Sequence, residues 1–286
     1  MNIGIIGCGN MGSGMARTLR KEKCSVFCYD KSPKALKNLE QLGCTKVTSA
    51  NDLAKFCNLI ILSLPTAEIV EETVESIHES IKAETVVLDT STSKPETTKI
   101  LAKLAIKRNY KFIDGPVSGG PIAANSGEMT MLLGGNEADI NSIRPILDIL
   151  TSKTVIVGPS GAGHAAKIAN NMLCAANLIL VSEVVKLGEE IGIEAIDLLN
   201  GINAGSGRSG VSEINFPKWI LSETYNSGFT MGLMRKDVKL GLELSDQYQT
   251  QSPVFNAVAK VWEASRENLP DQSDFNEIYK FEDKND

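Results

Sequence analysis

Histidine, cysteine and aromatic side chains are scarce in this chain of 286 residues, which has two His, six Cys and an aromatic share of 5%. His78 and His164 are too few for a histidine-rich metal centre. Cys8, Cys24, Cys28, Cys44, Cys57 and Cys174 are scattered and form no C-x-x-C pair, so neither a disulfide frame nor a zinc site is indicated and no metal is expected. Basic charge is also in deficit, because 29 Lys and Arg against 35 Asp and Glu leave a formal charge of −6. With no Lys/Arg-rich run, nucleic acid and anionic membranes are given no general attraction. The longest near-apolar stretch, Met172 to Leu187, is interrupted by Asn177, Ser182, Glu183 and Lys186, whereas a membrane span needs roughly 20 mostly apolar residues. The run Ile3 to Gly7 is too short for a signal peptide and lacks a basic flank. A cytoplasmic protein with neither nucleic acid nor membrane as partner is expected.

What remains is ordinary globular composition, 42% hydrophobic and 22% charged, in a length that suits about two domains at roughly 150 residues each. In the first half short apolar runs alternate with amphipathic segments. Ile3 to Gly7, Ser25 to Asp30, Leu59 to Leu64, Thr85 to Asp89 and Lys111 to Asp114 read as strands. Met11 to Lys21, Pro33 to Leu42, Ala67 to Ile81 and Pro95 to Arg108 read as the helices between them. This alternation predicts an α/β fold with a mostly parallel sheet covered on both faces. Two more strands, Met129 to Leu133 and Thr154 to Val157, flank a helix predicted over Glu137 to Leu150.

Strand signals stop at the breaker cluster Gly158-Pro159-Ser160-Gly161-Ala162-Gly163. The domain boundary is placed there, with a dinucleotide-binding domain over 1–160 and an all-helical substrate and oligomerisation domain over 161–286. A single helical pattern from Gly163 to about Gly192 opens the second domain, apolar on nearly all sides from Met172 to Leu187, as suits a helix buried in a core or an oligomer interface. Further helices are predicted at Glu194 to Asn200, Met231 to Tyr248 and Pro253 to Arg266. The polar tail from Glu267 to Asp286 is expected to fray at its end.

Gly7-Cys8-Gly9-Asn10-Met11-Gly12 is a G-x-G-x-x-G turn between the first strand and the first helix. Its first glycine permits the tight turn, its second lets backbone approach a pyrophosphate, and its third lets helix and strand pack closely. The helix N-terminus offers free N–H donors to the phosphates. Alone the pattern is weak, but the second strand ends in Asp30, whose carboxylate suits the adenosine ribose hydroxyls and repels a 2′-phosphate. NAD is therefore the expected cofactor; Lys31 would attract a 2′-phosphate and keeps NADP open. Ligands on such sheets lie beyond the carboxyl ends of the strands, which brings Ser63-Leu64-Pro65-Thr66 and Asp89-Thr90-Ser91-Thr92 towards the cofactor, although their Ser and Thr also suit helix caps.

Asp114 to Pro121 packs three glycines and two prolines into eight residues, either a structural turn or a backbone nest for a carboxylate with Ser118 as an added donor. Lys167, Asn170, Asn171 and Cys174 share one face of the long helix. Lys167 lies in its first turns, where the macrodipole and desolvation both push an ammonium towards giving up its proton. His164 reads as a capping or supporting residue. Lys236-Asp237 reads as a charged pair on an exposed face, and Arg208, within Gly205 to Gly210, as a solvated loop charge or an anion clamp.

Four signatures in order, Ile5 to Gly12, Asp114 to Gly120 with Gly127 following, Gly161 to Asn171, and Leu233 to Asp237, make the chain resemble the β-hydroxyacid dehydrogenase family almost end to end. The resemblance implies a Rossmann domain joined to a helical domain, a homodimer or homotetramer, and reversible hydride transfer between NAD(P) and a short hydroxy acid or semialdehyde of the 3-hydroxyisobutyrate kind. It implies Lys167 as the catalytic acid/base, and Asn171, Ser118, Gly119 and Gly120 as the substrate site; Arg208, by its guanidinium chemistry alone, is a weaker candidate for a second anionic group of the substrate. It implies cofactor contacts from Leu64, Pro65, Thr92 and Lys236 beside Gly7, Gly9, Asn10, Met11, Gly12 and Asp30. Cys8 stands where many members have leucine, and Asn276 where a serine is common. A decarboxylating 6-phosphogluconate dehydrogenase would need a larger helical domain, and imine reductases replace the lysine. The alternative of another class is a non-catalytic nucleotide-binding scaffold of the same fold.

Overall fold

A computed structural model describes residues 1–281, so the frayed end expected of the tail lies outside the described residues. The chain forms two compact units, Met1–Lys167 and a second beginning at Ile168.

In the first unit, strands β1 (Asn2–Ile6), β2 (Ser25–Tyr29), β3 (Thr45–Lys46), β4 (Leu59–Leu62), β5 (Val86–Asp89) and β6 (Lys111–Asp114) run parallel. β7 (Val117–Ser118) and β6 pair antiparallel with β8 (Met129–Gly134), and β9 (Thr151–Gly158) lies parallel to β8. The order is β3-β2-β1-β4-β5-β6-β8-β7, with β9 added on β8. Helices α1 (Asn10–Lys21), α2 (Pro33–Gln41), α3 (Ala50–Phe56), α4 (Ala67–Ile77), α5 (Pro95–Lys107), α6 (Gly120–Ser126), α7 (Glu137–Ser142) and α8 (Arg144–Leu150) connect the strands. Side chains alternate across the sheet. Ile3, Ile5 and Ile61 pack with Met15 and Leu19 of α1, while Ile6, Ile60 and Leu62 pack with Val70 and Val74 of α4. A strand such as Leu-Ile-Ile-Leu at β4 is apolar throughout because both of its faces are covered.

The single helix predicted over Glu137 to Leu150 is two, interrupted at Ile143, because Pro145 fits only in the first turn of a helix and so starts α8. β3, β7, α3 and α6 were not legible. The two strands have two residues each and the two helices seven, too short for periodicity to show.

The second unit is helical among the described residues: most of α9 (Ala162–Glu190), α10 (Ala195–Ala204), a π-helical stretch Val211–Ile220, α11 (Met231–Gln247), α12 (Pro253–Ala264) and a closing 3₁₀ segment Phe275–Lys280. Its core gathers around Trp262 and Phe216, both fully buried, and the Trp262 indole N–H donates to the Ala175 carbonyl of α9 at 3.2 Å. Arg235 is buried too, satisfied by Asp271, Ser265 and the carbonyls of Trp262 and Leu269. Asn276, at the family's serine position, is fully buried and bonded to Asn215 and Asp274.

α9 is long and apolar enough to cross a membrane by length and composition, despite the polar interruptions. Its apolar content is partly explained by packing, since Ala175, Leu178 and Val185 lie in the core of the second unit.

Candidate active site

Pairing register aligns the ends of four strands. Ile6 pairs with Leu62, Leu62 with Asp89, and Asp89 with Asp114, so the loops that follow them leave one edge of the sheet. In the first of these loops Gly7 has φ +92°, and a Cβ there would sit 2.2 Å from the Ser63 carbonyl oxygen. A Cβ on Gly12 would sit 1.9 Å from the Gly7 oxygen. A Cβ on Gly9, the residue capping α1, would meet no protein atom within 4 Å. No side chain caps α1, and its first turn holds no acidic residue. Four orphan N–H groups of a helix end need partners, and here an open glycine and the absence of negative charge leave them for an anion such as a pyrophosphate, through Gly9, Asn10, Met11 and Gly12. These residues fit a dinucleotide.

Asp30 accepts from the backbone N–H of Cys8 at 2.6 Å and of Ser32 at 2.7 Å. It therefore fastens the glycine turn to the end of β2, and each oxygen still has lone-pair capacity for a ribose hydroxyl. In the second and third loops Leu64 and Thr92 are half-buried and Pro65 exposed. The Leu64 N–H donates to Ser91 Oγ at 3.0 Å, tying these loops together.

The fourth loop is more ordered than the sequence suggests. Val117–Ser118 forms β7, and Gly119 and Gly120 follow at φ +112° and +65°, consecutive left-handed positions that open α6. Lys167 is 8% exposed and its Nζ donates to Ser118 Oγ at 2.9 Å. The lysine and the glycine-rich loop, 49 residues apart in sequence, are thus brought together.

Two family models match in tandem. One described as "NAD binding domain of 6-phosphogluconate dehydrogenase" covers residues 2–158, and one described as "NAD-binding of NADP-dependent 3-hydroxyisobutyrate dehydrogenase" covers 161–281. The 2-(hydroxymethyl)glutarate dehydrogenase of Eubacterium barkeri is 32% identical over 93% of this chain and 89% of its own length. The chain belongs to the β-hydroxyacid dehydrogenase family. The human mitochondrial 3-hydroxyisobutyrate dehydrogenase is 36% identical over 88% of this chain and 77% of its own. The 3-hydroxyisobutyrate dehydrogenase of Mycobacterium tuberculosis, solved with L-serine, superposes with a TM-score of 0.93 at 26% identity over 98% of both chains. Like these relatives, this β-hydroxyacid dehydrogenase is an NAD(P)-dependent hydroxy acid oxidoreductase, which sets aside the non-catalytic scaffold alternative.

In the second unit of the dehydrogenase, Asn171 is 5% exposed, and its amide donates to Asp237 Oδ2 at 2.5 Å. The other Asp237 oxygen lies 3.4 Å from Lys236 Nζ. Asp237 is 1% exposed, which corrects the reading of Lys236-Asp237 as a charged pair on an exposed face: only Lys236 reaches solvent. One carboxylate orients both the candidate substrate amide and the candidate cofactor lysine. A signal existed, because Met234, Val238 and Gly241 form the buried stripe of α11 and Asp237 falls within it. Arg208 is exposed in the loop after α10, with no ion pair among the described residues.

Asp114, read only as the start of the glycine-rich loop, is also the N-terminal clamp of α9. Its oxygens accept from the N–H groups of Gly161 at 2.8 Å and His164 at 3.0 Å. Burial pushes its carboxyl above the usual range, opposed by His164 and by those N–H donors. Gly163 is required beside it, since a Cβ there would meet the Leu132 carbonyl oxygen at 2.3 Å.

Proposed function

We propose that the chain oxidises a short 3-hydroxy acid to its semialdehyde, reversibly, with Lys167 as the proton-transfer group. The observation that carries this reading is the 2.9 Å bond from the buried Lys167 ammonium to Ser118, because it joins a proton donor to a loop built to hold a carboxylate. 3-Hydroxyisobutyrate, 2-(hydroxymethyl)glutarate and L-serine, named with the relatives, share one unit: a CH2OH on the carbon next to a carboxylate. The proposed substrate has that unit, with a variable group on the middle carbon.

NAD(P) supplies the hydride acceptor when bound. Ser118 and the amides of Gly119 and Gly120 hold the substrate carboxylate, and Asn171, oriented by Asp237, holds the hydroxyl. Lys167 as the neutral amine takes the hydroxyl proton during oxidation, and as the ammonium returns it to the aldehyde oxygen during reduction, neutralising the developing alkoxide. Leu64, Pro65, Thr92 and Lys236 line the cofactor, Asp30 favours NAD over NADP, and Arg208 meets a second anionic group where the substrate has one.

The test is a panel of semialdehyde acids, each beside its neutral amide, reduced with NADH and with NADPH. The acids should be strongly preferred, Ser118→Ala should erode that preference mainly through kcat/KM, and Asp30→Ala should narrow the gap between NADH and NADPH. Equal turnover of charged and uncharged aldehydes would make the loop a structural turn. A wild-type kcat/KM much higher with NADPH would overturn the role of Asp30 and point to Lys31. A penalty from Arg208→Ala confined to dicarboxylic substrates would place the natural substrate in that class.

A homo-oligomer, assembled in the cytoplasm, is part of the same proposal. Leu173, Leu180, Val184, Leu187 and Ile191 are 43–68% exposed and recur at helical spacing along α9 and its end, a stripe of the kind a monomer rarely leaves in water. Light scattering should give at least twice the 30.8 kDa chain mass, and Leu180→Glu with Leu187→Glu should reduce it to one chain. A wild-type monomer would refute this part.

A further inference from the structure

We infer that His164 is a positioning residue of this reaction: its imidazole pins the loop carrying Thr92 to the turn of α9 that carries Lys167. The inference rests on the reading of Lys167 as the proton-transfer group.

The imidazole is fully buried, and both nitrogens face polar partners rather than the apolar core. Nε2 lies 3.0 Å from the Ser91 carbonyl oxygen. A carbonyl only accepts, so Nε2 carries a proton and the tautomer is set. Nδ1 lies 2.8 Å from the Thr98 hydroxyl in α5, which accepts or donates according to the state of the ring. Ser91 in turn receives the Leu64 N–H through its side chain. One imidazole therefore connects α9 and α5 to the loop after β5, and through Ser91 to the loop after β4. Both loops contain the proposed cofactor contacts.

A second observation points the same way. Asp89, at the end of β5, is 1% exposed, and its Oδ2 has no hydrogen-bond partner among the described residues. His164 Nε2 lies 3.7 Å from that oxygen. A buried carboxylate oxygen without a donor is costly, and the polarised Nε2–H is what offsets it. Asp114 holds the His164 backbone N–H from the other side, so main chain and ring are both anchored. Lys167 follows three residues on, a neighbour on the same helical surface. Loss of the ring leaves the Ser91 carbonyl without its donor, removes the N–H dipole beside Asp89 Oδ2 and frees the helix start to move against the Thr92 loop. Displacements near 1 Å at a reacting group cost about 100-fold in rate.

The test uses His164→Asn and His164→Gln in the full chain. The glutamine amide reaches about where Nε2 sits and can donate to Ser91, whereas the shorter asparagine amide reaches only towards Thr98. With whichever of 3-hydroxyisobutyrate, 2-(hydroxymethyl)glutarate and L-serine the wild type oxidises fastest, His164→Asn should lower kcat by about 10- to 100-fold, with KM for the acid changed far less. His164→Gln should recover most of that loss. His78→Gln, outside the site, is the control. A folded His164→Asn enzyme with wild-type kcat would overturn the inference, as would a His164→Gln enzyme as slow as His164→Asn, since the ring would then be needed for itself. Thermal melts separate the alternatives further: a merely structural role lowers the melting temperature without splitting kcat from KM. Lys167→Ala is run alongside. If it turns over normally, the reading of Lys167 fails and this inference falls with it; if it is inactive while His164→Asn is fast, the inference alone fails.

Discussion

Lys167→Ala is expected to lower kcat by about 10²- to 10⁴-fold, the usual worth of a positioned general acid, while NADH binds almost as tightly as to the wild type. The separation follows from where the groups lie. Lys167 Nζ is bonded to Ser118 on the proposed substrate loop, whereas the proposed cofactor site is built from Gly7 to Gly12 for the pyrophosphate and Asp30 for the ribose, on other elements of the same unit. Proton transfer is required only as charge develops on the substrate oxygen, so the loss belongs in kcat and kcat/KM together rather than in cofactor affinity. Lys167→Arg should rescue little: a guanidinium holds its proton too strongly to take one up from the alcohol. Single-turnover measurements with NADH fluorescence would separate binding from chemistry. Wild-type turnover by a folded Lys167→Ala enzyme would transfer the acid role to another group.

The second large effect is a contrast between two glycines of one turn. Gly9→Ala should fold as the wild type does, because its backbone is extended, with φ −67° and ψ −162°, and its new Cβ meets nothing within 4 Å. The space it fills is the space proposed for the pyrophosphate, so NADH affinity should fall at least about tenfold, equivalent to roughly 1.4 kcal/mol. Gly12→Ala has no such freedom, since its Cβ would stand 1.9 Å from the Gly7 carbonyl oxygen. Helix α1 must then move off β1, at a stability cost of about 1–3 kcal/mol or more, and cofactor binding should fail as well. Thermal melts beside NADH titrations read both. Equal melting losses for the two variants would refute the proposed division between a glycine kept for packing and one kept for the ligand.

These contrasts mark how far the residues spoke for themselves. Strands β1, β2, β4, β5 and β6 and helices α1, α4 and α5 were legible because each has a strong local period and a clear stop, such as Pro33, Pro95 or the breaker cluster at Gly158 to Gly163. The glycine turn and Asp30 stood out for the same reason, residue type at short spacing, whereas the proposed roles of Lys167, Ser118, Gly119 and Gly120 came from the family resemblance, since the Ser118 loop by itself read equally as a structural turn. Short elements such as β3 and α6 carried too little pattern to be read.

Asp237, Asp114 and His164 were read by their local surroundings, as a surface charge, a loop start and a capping or supporting residue, and in each case the partner is remote in sequence. Asn171 meets Asp237 across 66 residues, Gly161 and His164 meet Asp114 across 47 and 50, and the His164 ring meets Ser91 across 73. Local residue pattern is enough for the α/β order of the first half and for the glycine turn, because these follow from backbone sterics and periodicity within a few residues; the candidate acid was named by its place early in a helix together with the family resemblance. Which polar groups are buried, and what each of them faces, depends on the fold as a whole. A charged side chain leaves water only when a distant partner offsets its desolvation, and the nearby sequence holds no record of that partner.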